Sequence, residues 1–171
     1  LHIEKGLDIR VTGLDLKKEV IEECQQIAND LEFKHLEFLV GDIGDYNEEA
    51  SVDMVVTLHA CDVATDLALG RAVKWGASVI LSVPCCQHEL NQNYKESSNQ
   101  AINQMLKYGI VKERFLSLAT DVMRCELLKE KGYSTQLLEF IDVSHTPKNL
   151  LIRAVKKNSS SLKDEKSCYD E

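Results

Sequence analysis

Apolar residues recur along the chain in two periods, one typical of buried strands and one typical of amphipathic helices. Short β-type apolar runs predict strands at Ile9–Leu14, Leu36–Val40, Val52–Leu58, Ala77–Val83, Thr135–Asp142 and Leu150–Lys156. Helical spacing predicts helices over Lys17–Leu31, from Asp62 or Thr65 to about Trp75, near 99–108 and over Phe115–Lys131. Gly76 and Gly132 follow two of these helices, where a glycine commonly ends a helix.

Strand and helix alternate through residue 83, and a hairpin-like pair of strands closes the pattern. This order predicts an α/β fold with a doubly wound, mostly parallel sheet and an antiparallel terminal strand. In such sheets, ligands bind outside the carboxyl ends of the strands. The residues that follow the predicted strands are Asp15, Asp42, the segment His59–Asp62 and the segment Cys85–His88. A binding site is therefore predicted at that edge.

Composition narrows the class of protein. The net charge of −8 argues against a broad nucleic-acid-binding face but leaves a local basic groove open. No apolar stretch reaches the roughly 18 to 20 residues that cross a bilayer, so no membrane partner is expected. The six cysteines lack the spacing of a disulfide framework, and adjacent Cys85 and Cys86 favour a reducing compartment. We therefore expect a cytoplasmic protein.

The two ends of the chain differ in character. Residues 1–6 resemble the last turn of a helix, with Lys5 near its end and Gly6 as the stop. Because the first residue is Leu1 rather than Met, we expect further sequence upstream. Lys157–Glu171 is rich in serine and charge, which predicts a disordered tail after a single domain over residues 1–156.

Two acidic residues at strand ends indicate a nucleoside ligand. The carboxylate of Asp15 can accept hydrogen bonds from ribose hydroxyls, although an aspartate there can also cap the following helix. Asp42 can bind an adenine amino group while Ile43 packs on the ring, or it can simply occupy the turn after Gly41. Together the two acids favour an adenosine-containing ligand.

The segment "LHACDVATDLAL" contains a histidine directly after a strand. His59 can act as a general base or line a pocket, although a single histidine is more often structural. Asp62 and Asp66 are interpreted as helix-start residues favoured by the helix dipole.

The segment "SVPCCQHEL" permits three interpretations. Cys61, Cys85, Cys86 and His88 contain zinc-ligand side chains, but the spacing lacks a C-x₂₋₄-C knuckle, so no metal is predicted. A cysteine nucleophile would need a lowered thiolate pKa, supplied by His88 or by a helix N-terminus. The favoured interpretation is that small polarizable side chains line a pocket beside a turn fixed by Pro84.

Six segments together carry a family resemblance: "GLDL", "GDI", "LHACDVATDLAL", "SVPCCQHEL", "DVMRCELLKEKGY" and "HTPKNLLIRA". The chain resembles class I S-adenosylmethionine-dependent methyltransferases over about residues 7–156. It is most similar to a bacterial methyltransferase-domain group of unassigned substrate. It is also distantly similar to the tRNA 2′-O-methyltransferases of the acceptor stem, which pair H-x-C-G…T-D-L and C-C-H-H segments. The resemblance implies a Rossmann-like methyltransferase sheet with S-adenosylmethionine as cofactor.

The resemblance also implies roles for individual residues. Asp15 would bind the ribose, Asp42 and Ile43 would flank the adenine, and Cys85–His88 would face the methyl acceptor. The implied cofactor-binding residues are Asp15, Leu16, Asp42, Ile43, His59, Ala60 and Cys61. The candidate catalytic residues are His59, Cys85, Cys86 and His88.

The chain departs from the family pattern in three places. Asp62 stands where the tRNA enzymes have glycine, and Gln87-His88 stands where they have His-His. No Gly-rich G-x-G loop is present, and we expect that loop and its strand upstream, between the strands at 9–14 and 52–58 in the sheet. We therefore expect that these 171 residues alone neither fold stably nor bind cofactor well, although the full-length enzyme would do both.

The sequence predicts the methyl acceptor less precisely than it predicts the cofactor. RNA, including a tRNA 2′-hydroxyl, is slightly favoured over protein. A hydroxyl acceptor needs a base such as His59 or His88, whereas a ring carbon needs a cysteine nucleophile. The alternatives are a catalytically inactive methyltransferase fold that serves as a binding or scaffold domain, and a nicotinamide-dependent oxidoreductase, since Asp15 fits a ribose there too.

Overall fold

A computed structural model of the chain describes residues 5–46, 51–58, 62–85, 87–142, 144–146 and 149–157. The strands are β1 (Val11–Asp15), β2 (Leu36–Val40), β3 (Met54–Leu58), β4 (Val79–Val83), β5 (Tyr133–Glu139) and β6 (Leu150–Lys156). The helices are α1 (Lys18–Asp30), α2 (Val63–Trp75), α3 (His88–Asn93), α4 (Gln100–Met105) and α5 (Gly109–Glu130). These elements belong to two compact units, Leu1–Asn47 and Glu48–Glu171.

The first unit is a single β-α-β motif. β1 and β2 pair in parallel, from Val11 opposite Leu36 to Asp15 opposite Val40. Two parallel strands need a crossover connection, and α1 supplies it. Ile21 is buried on the inner face of this helix. The motif therefore brings the carboxyl ends of its two strands to the same edge.

The second unit is a four-stranded sheet with the order β3-β4-β6-β5. β3 and β4 are parallel and joined by α2, whereas β6 runs antiparallel to both of its neighbours, β4 and β5. The predicted antiparallel terminal strand is thus confirmed. Gly76 ends α2 with a φ of 73°, the left-handed conformation expected of a C-terminal glycine.

The core of the second unit lies on one face of this sheet. Alternate residues of three strands, among them Val55, Ile80 and Ile152, point to that face and are buried. α2 and α5 pack there, with Leu69 and Leu128 in the same cluster. Burial of such side chains is the main source of stability in a domain of this kind.

Several element boundaries differ from the sequence prediction. β1, β3 and β4 each begin two residues later than predicted, and α5 begins at Gly109 rather than Phe115. The extra turns of α5 include exposed apolar residues such as Ile110, so they lack the amphipathic spacing that marks a helix in sequence. None of the helices in the described part of the chain is long and apolar enough to cross a membrane.

Candidate functional site

The carboxyl ends of β1 and β2 lie side by side and present two acidic residues. The amide of Gly41 donates a 3.0 Å hydrogen bond to the carbonyl oxygen of Asp15, which joins the two strand ends. Asp15 is the last residue of β1, and Asp42 follows β2 by two residues. Both side chains are exposed. The structure thus brings together the two acids that the sequence singled out.

Each of these carboxylates stabilises its own turn. Asp15 Oδ1 accepts the amide of Lys17 at 2.8 Å, and Asp42 Oδ1 accepts the amide of Gly44 at 2.7 Å. Such side-chain bonds to the backbone two residues on are typical of aspartate in turns. Because an ionised carboxylate offers about four acceptor sites, one backbone bond leaves capacity for hydroxyl or amino donors of a ligand. The pair can therefore accept hydrogen bonds from a ligand, and adenosine as that ligand stays a prediction.

Two neighbouring apolar residues were also predicted to bind the cofactor. Leu16 directly follows β1 and is 70% exposed, while Ile43 is half-buried in the turn after Asp42. The remaining predicted cofactor residues, His59, Ala60 and Cys61, lie outside the described residues, as does Cys86.

In the second unit, the turn after β4 is fixed through a buried glutamine. The Nε2 atom of Gln87 donates to Asp121 Oδ2 at 2.9 Å, and its Oε1 atom accepts the hydroxyl of Ser117 at 2.6 Å. Gln87 is only 6% exposed, whereas Cys85 is half-buried and His88, the first residue of α3, is exposed. The side-chain amide group of Gln87 therefore anchors the turn to α5.

Arg124 connects the same helix to α2. Its Nη1 atom donates to Asp121 Oδ1 at 3.0 Å, and its Nε and Nη2 atoms form a bidentate pair with the Asp66 carboxylate at 2.7 and 3.2 Å. Nη2 also donates to the carbonyl oxygen of Asp62 at 2.9 Å. Planar, bidentate contacts of this kind are strong and directional. One guanidinium thus links three acidic residues.

Burial changes the protonation equilibria of this cluster. Burial raises the pKa of the Asp121 carboxyl, although hydrogen bonds from Gln87 and Arg124 oppose the rise. Burial alone would lower the pKa of Arg124, but hydrogen bonds and charge from Asp66 and Asp121 outweigh it, so the pKa of the guanidinium is raised. Cys125 is a core residue, only 6% exposed, and burial raises the pKa of its thiol, which disfavours the nucleophilic thiolate.

Asp62 caps a different helix from the one predicted. It occupies the N-cap position of α2, but its side chain makes no capping bond there. Instead, Asp62 Oδ2 accepts the amides of His88 and Glu89, both at 3.0 Å, at the start of α3. This contact also explains why a helix begins at His88, where the sequence predicted none.

The sequence did not single out Gln87, Ser117, Asp121 or Arg124 as a cluster. A signal was nevertheless present, because Ser117, Asp121, Arg124 and Leu128 follow the i, i+4, i+7, i+11 spacing of a buried helical stripe. Two opposite charges on such a stripe indicate a buried ion pair. Among the described residues, no group of three or more His, Cys, Asp or Glu side chains is arranged to hold a metal ion.

The structure therefore contains two sets of candidate residues, one in each unit. Asp15 lies with Asp42, and Asp62 lies with His88. That the two sets form one binding site at the same edge of the sheet stays a prediction.

Comparison with known proteins identifies the fold. A family model described as a methyltransferase domain matches residues 1–93, just over half of the 171-residue chain. Among solved structures, the chain is similar to an rRNA methylase from Streptococcus thermophilus, with a TM-score of 0.51 and 12% identity over 90% of this chain and 76% of that one. A protein from Clostridium thermocellum assigned as an rRNA methylase gives a TM-score of 0.52 and 15% identity over 88% and 73% of the two chains.

A third solved structure, the methyltransferase domain of bacterial-CtHen1-C, gives a TM-score of 0.50 and 13% identity over 87% of this chain and 78% of that one. At these identities the likeness concerns the fold alone, and it confirms the predicted Rossmann-like methyltransferase architecture. A search of curated proteins found no match.

Proposed function

This chain belongs to the methyltransferase-domain family, and from that premise we propose that it is an S-adenosylmethionine-dependent methyltransferase that acts on RNA. Family membership implies S-adenosylmethionine as the cofactor. The observation that carries the proposal is the extent of the family match, because residues 1–93 include both strand-end carboxylates and the Cys85–Cys86 pair. A tRNA 2′-hydroxyl is the finer proposal for the acceptor, and the cytoplasm is the proposed location.

The first unit would hold the nucleoside part of the cofactor. We assign Asp15, with Leu16, to the ribose and Asp42, with Ile43, to the adenine. Both carboxylates are exposed at adjoining strand ends and retain acceptor capacity, which supports this assignment. His59, Ala60 and Cys61 are proposed to complete the binding residues.

The second unit would bind and orient the methyl acceptor. S-adenosylmethionine, when bound, supplies a methyl group already activated by its sulfonium, so the main tasks of the chain are to orient the acceptor and exclude water. A hydroxyl acceptor also needs a proton acceptor, and His59 and His88 are the proposed bases. Cys85 and Cys86 are proposed to contact the acceptor, with a nucleophilic role if the acceptor is a ring carbon.

A local excess of basic residues supports RNA as the acceptor. Residues 94–114 contain four basic residues, Lys95, Lys107, Lys112 and Arg114, and two acidic ones, Glu96 and Glu113, in a chain whose net charge is −8. The ammonium group of Lys112 lies 5.6 Å from the centroid of the Tyr94 ring. Basic and aromatic side chains are the groups that contact phosphates and bases. Two neighbours with the same fold carry names that refer to rRNA methylation.

The direct test is transfer of labelled methyl groups by the full-length protein into separated cellular RNA, protein and small molecules. We expect the label in RNA. Label in protein alone would contradict the proposed acceptor, and binding of S-adenosylhomocysteine without any transfer would favour the inactive binding domain. Calorimetry with S-adenosylhomocysteine and with NAD distinguishes a methyltransferase from an oxidoreductase. Stronger binding of NAD would reject the assignment as a methyltransferase.

Single alanine substitutions test the proposed catalytic residues His59, Cys85, Cys86 and His88. Cys24→Ala is the matched control, since Cys24 is a half-buried cysteine of the first unit that lies outside the proposed site. We expect turnover to fall in at least one of the four variants and to be unchanged in the control. Unchanged turnover in all four would remove these side chains from the chemistry.

A further inference from the structure

Asp62 has a backbone conformation that favours glycine. Its φ is 52° and its ψ is −117°, and in the described part of the chain Glu32 is the other non-glycine residue with a positive φ. A side chain in this region is strained, and such strain persists only where surrounding contacts fix the residue. The contacts of Asp62 therefore indicate what the strained conformation maintains.

The carboxylate of Asp62 holds the start of α3. Oδ2 accepts the amides of His88 and Glu89, both at 3.0 Å, and these are the first two residues of the helix. Such amides have no partner inside a helix and need a cap. Gln87, which precedes α3, makes no side-chain capping bond, so Asp62 provides the cap from 26 and 27 residues upstream. A charged acceptor makes these bonds stronger than neutral ones.

The backbone of Asp62 is held by α5. Its carbonyl oxygen accepts Nη2 of Arg124 at 2.9 Å, and Arg124 is itself fixed by Asp66 and Asp121. Gln87, in the turn between β4 and α3, is bonded to the same helix. Asp62 therefore joins that turn to the cluster of Arg124, Asp121 and Asp66, of which Arg124 and Asp121 are buried.

These bonds couple two neighbouring loops of the sheet. β3 and β4 are parallel, with Leu58 opposite Val83 at their carboxyl ends. Asp62 follows β3 by four residues, and Cys85 follows β4 by two. Folds of this class bind their ligands at that edge. We propose that Asp62 is a positioning residue that holds the turn between β4 and α3, at its described residues Gln87 and His88, in place for the methyl acceptor, an inference that rests on the proposed function.

The choice of aspartate over glycine supports this role. Glycine at position 62 would adopt the positive φ without strain, but it would leave the amides of His88 and Glu89 without their cap. If the backbone conformation were the only requirement at position 62, glycine would meet it better than aspartate. The variant Asp62→Gly therefore removes the carboxylate while relieving the backbone, and Asp62→Asn keeps a side-chain oxygen that can accept the same bonds.

The test measures the turn directly in the full-length protein. Iodoacetamide is allowed to react with native wild type, Asp62→Gly and Asp62→Asn, and peptide mass spectrometry gives the alkylation rate of Cys85. We expect the rate to rise about fivefold in Asp62→Gly, as for local opening after loss of a helix cap, and to stay within about twofold in Asp62→Asn. The alkylation rate of Cys125, in the core of the second unit, should be unchanged and reports any unfolding of that unit.

Methyl transfer to total cellular RNA provides the functional readout. We expect kcat to fall about tenfold or more in Asp62→Gly and to be largely restored in Asp62→Asn, because small misplacement of reacting groups slows transfer steeply. The affinity for S-adenosylhomocysteine should stay within about twofold of wild type in both variants, since the cap lies on the proposed acceptor side.

The outcomes separate this inference from the proposed function. An unchanged Cys85 alkylation rate in Asp62→Gly overturns the inference, and so does a parallel rise at Cys125. Faster alkylation of Cys85 with unchanged turnover on RNA also overturns it. If wild type transfers no methyl group to RNA, the proposed function fails, and the alkylation rates still decide whether Asp62 holds the turn.

Discussion

The aspartates of the two units differ in how far their hydrogen bonds reach. In the first unit, Asp15 and Asp42 each accept a backbone amide two residues away and remain exposed. In the second unit, the carboxylates of Asp62, Asp66 and Asp121 accept bonds from donors as far as 58 residues along the chain. Local bonds leave a carboxylate able to bind a ligand, whereas long-range bonds commit it to holding elements together. Substitutions in the two sets should therefore have different consequences.

The largest effect is expected from Arg124→Met. This change removes the cationic partner of the Asp121 carboxylate, whose side chain is only 2% exposed, and leaves that buried charge with the hydrogen bond from Gln87 but no opposite charge in contact. Breaking one side of a buried ion pair typically costs about 3–5 kcal/mol, and we expect a loss of that size in the free energy of unfolding. Urea unfolding of the full-length protein measures it.

Lys18→Met is the matched control from the first unit. Lys18 and Glu22 form an ion pair at 3.2 Å, but their side chains are 75% and 63% exposed. Exposed pairs contribute little, so the loss should stay below about 1 kcal/mol. Equal losses in the two variants would contradict the distinction between exposed and buried charges.

The second-largest effect is expected on the affinity for the cofactor rather than on stability. Asp15→Ala removes the carboxylate that is proposed to accept hydrogen bonds from the ribose hydroxyls. Because hydrogen bonds to a charged group contribute about 1.5–3 kcal/mol, the affinity for S-adenosylhomocysteine should fall by about tenfold to a hundredfold. The variant also loses the bond from the Lys17 amide to Asp15 Oδ1, so stability should fall by only about 0.5–1.5 kcal/mol and the melting temperature by a few degrees. Calorimetry and thermal melts measure the two quantities. Asp30→Ala, an exposed aspartate in α1, should change neither.

A third prediction concerns packing between the two strands of the first unit. Gly13 lies opposite Phe38, and a Cβ atom at Gly13 would approach Cδ1 of the ring to 2.5 Å. Gly13→Ala should therefore destabilise the protein by about 1–3 kcal/mol through overpacking. Gly41→Ala is the control, because a Cβ there meets nothing within 4 Å. Thermal melts in which both variants lose the same stability would reject the steric explanation.

The local part of this molecule was predictable from sequence. The strands Leu36–Val40 and Leu150–Lys156 match their predicted bounds, since a short apolar run bounded by polar residues is a local signal. The helix that ends before Gly76 was equally clear, because its stop residue lies next to it. Asp15 and Asp42 could be selected for the same reason, since their position after a strand is visible in the sequence.

The long-range part was not predictable in this way. The helix at His88–Asn93 starts where a carboxylate 26 residues upstream caps it, and no residue inside the segment signals that start. The partner of Gln87 lies 34 residues away on another helix. Local patterns select residue types and faces, but the pairing of buried polar groups depends on how the elements pack. The cluster around Arg124 therefore required the structure.

The smallest effects are expected in the pH dependence of stability. Burial raises the pKa of Asp121 above its ordinary value of 3.8, so the folded state keeps this proton to a higher pH than the unfolded chain. The contribution of Asp121 to stability is therefore fully present below the ordinary value and is lost as pH rises through the folded-state pKa. The free energy of unfolding of wild type minus that of Asp121→Asn should decrease as pH rises above the ordinary value of 3.8.

Asp142 should show the opposite sign. Hydrogen bonds from Ser144, first of all from its amide at 2.8 Å, lower the pKa of the Asp142 carboxyl. Its contribution to stability is therefore present above the ordinary value and is lost as pH falls through the folded-state pKa. The difference between wild type and Asp142→Asn should increase with pH over the acidic range, measured by urea unfolding at each pH. Slopes of the same sign for the two aspartates would contradict the assignment of one shift to burial and the other to local hydrogen bonding.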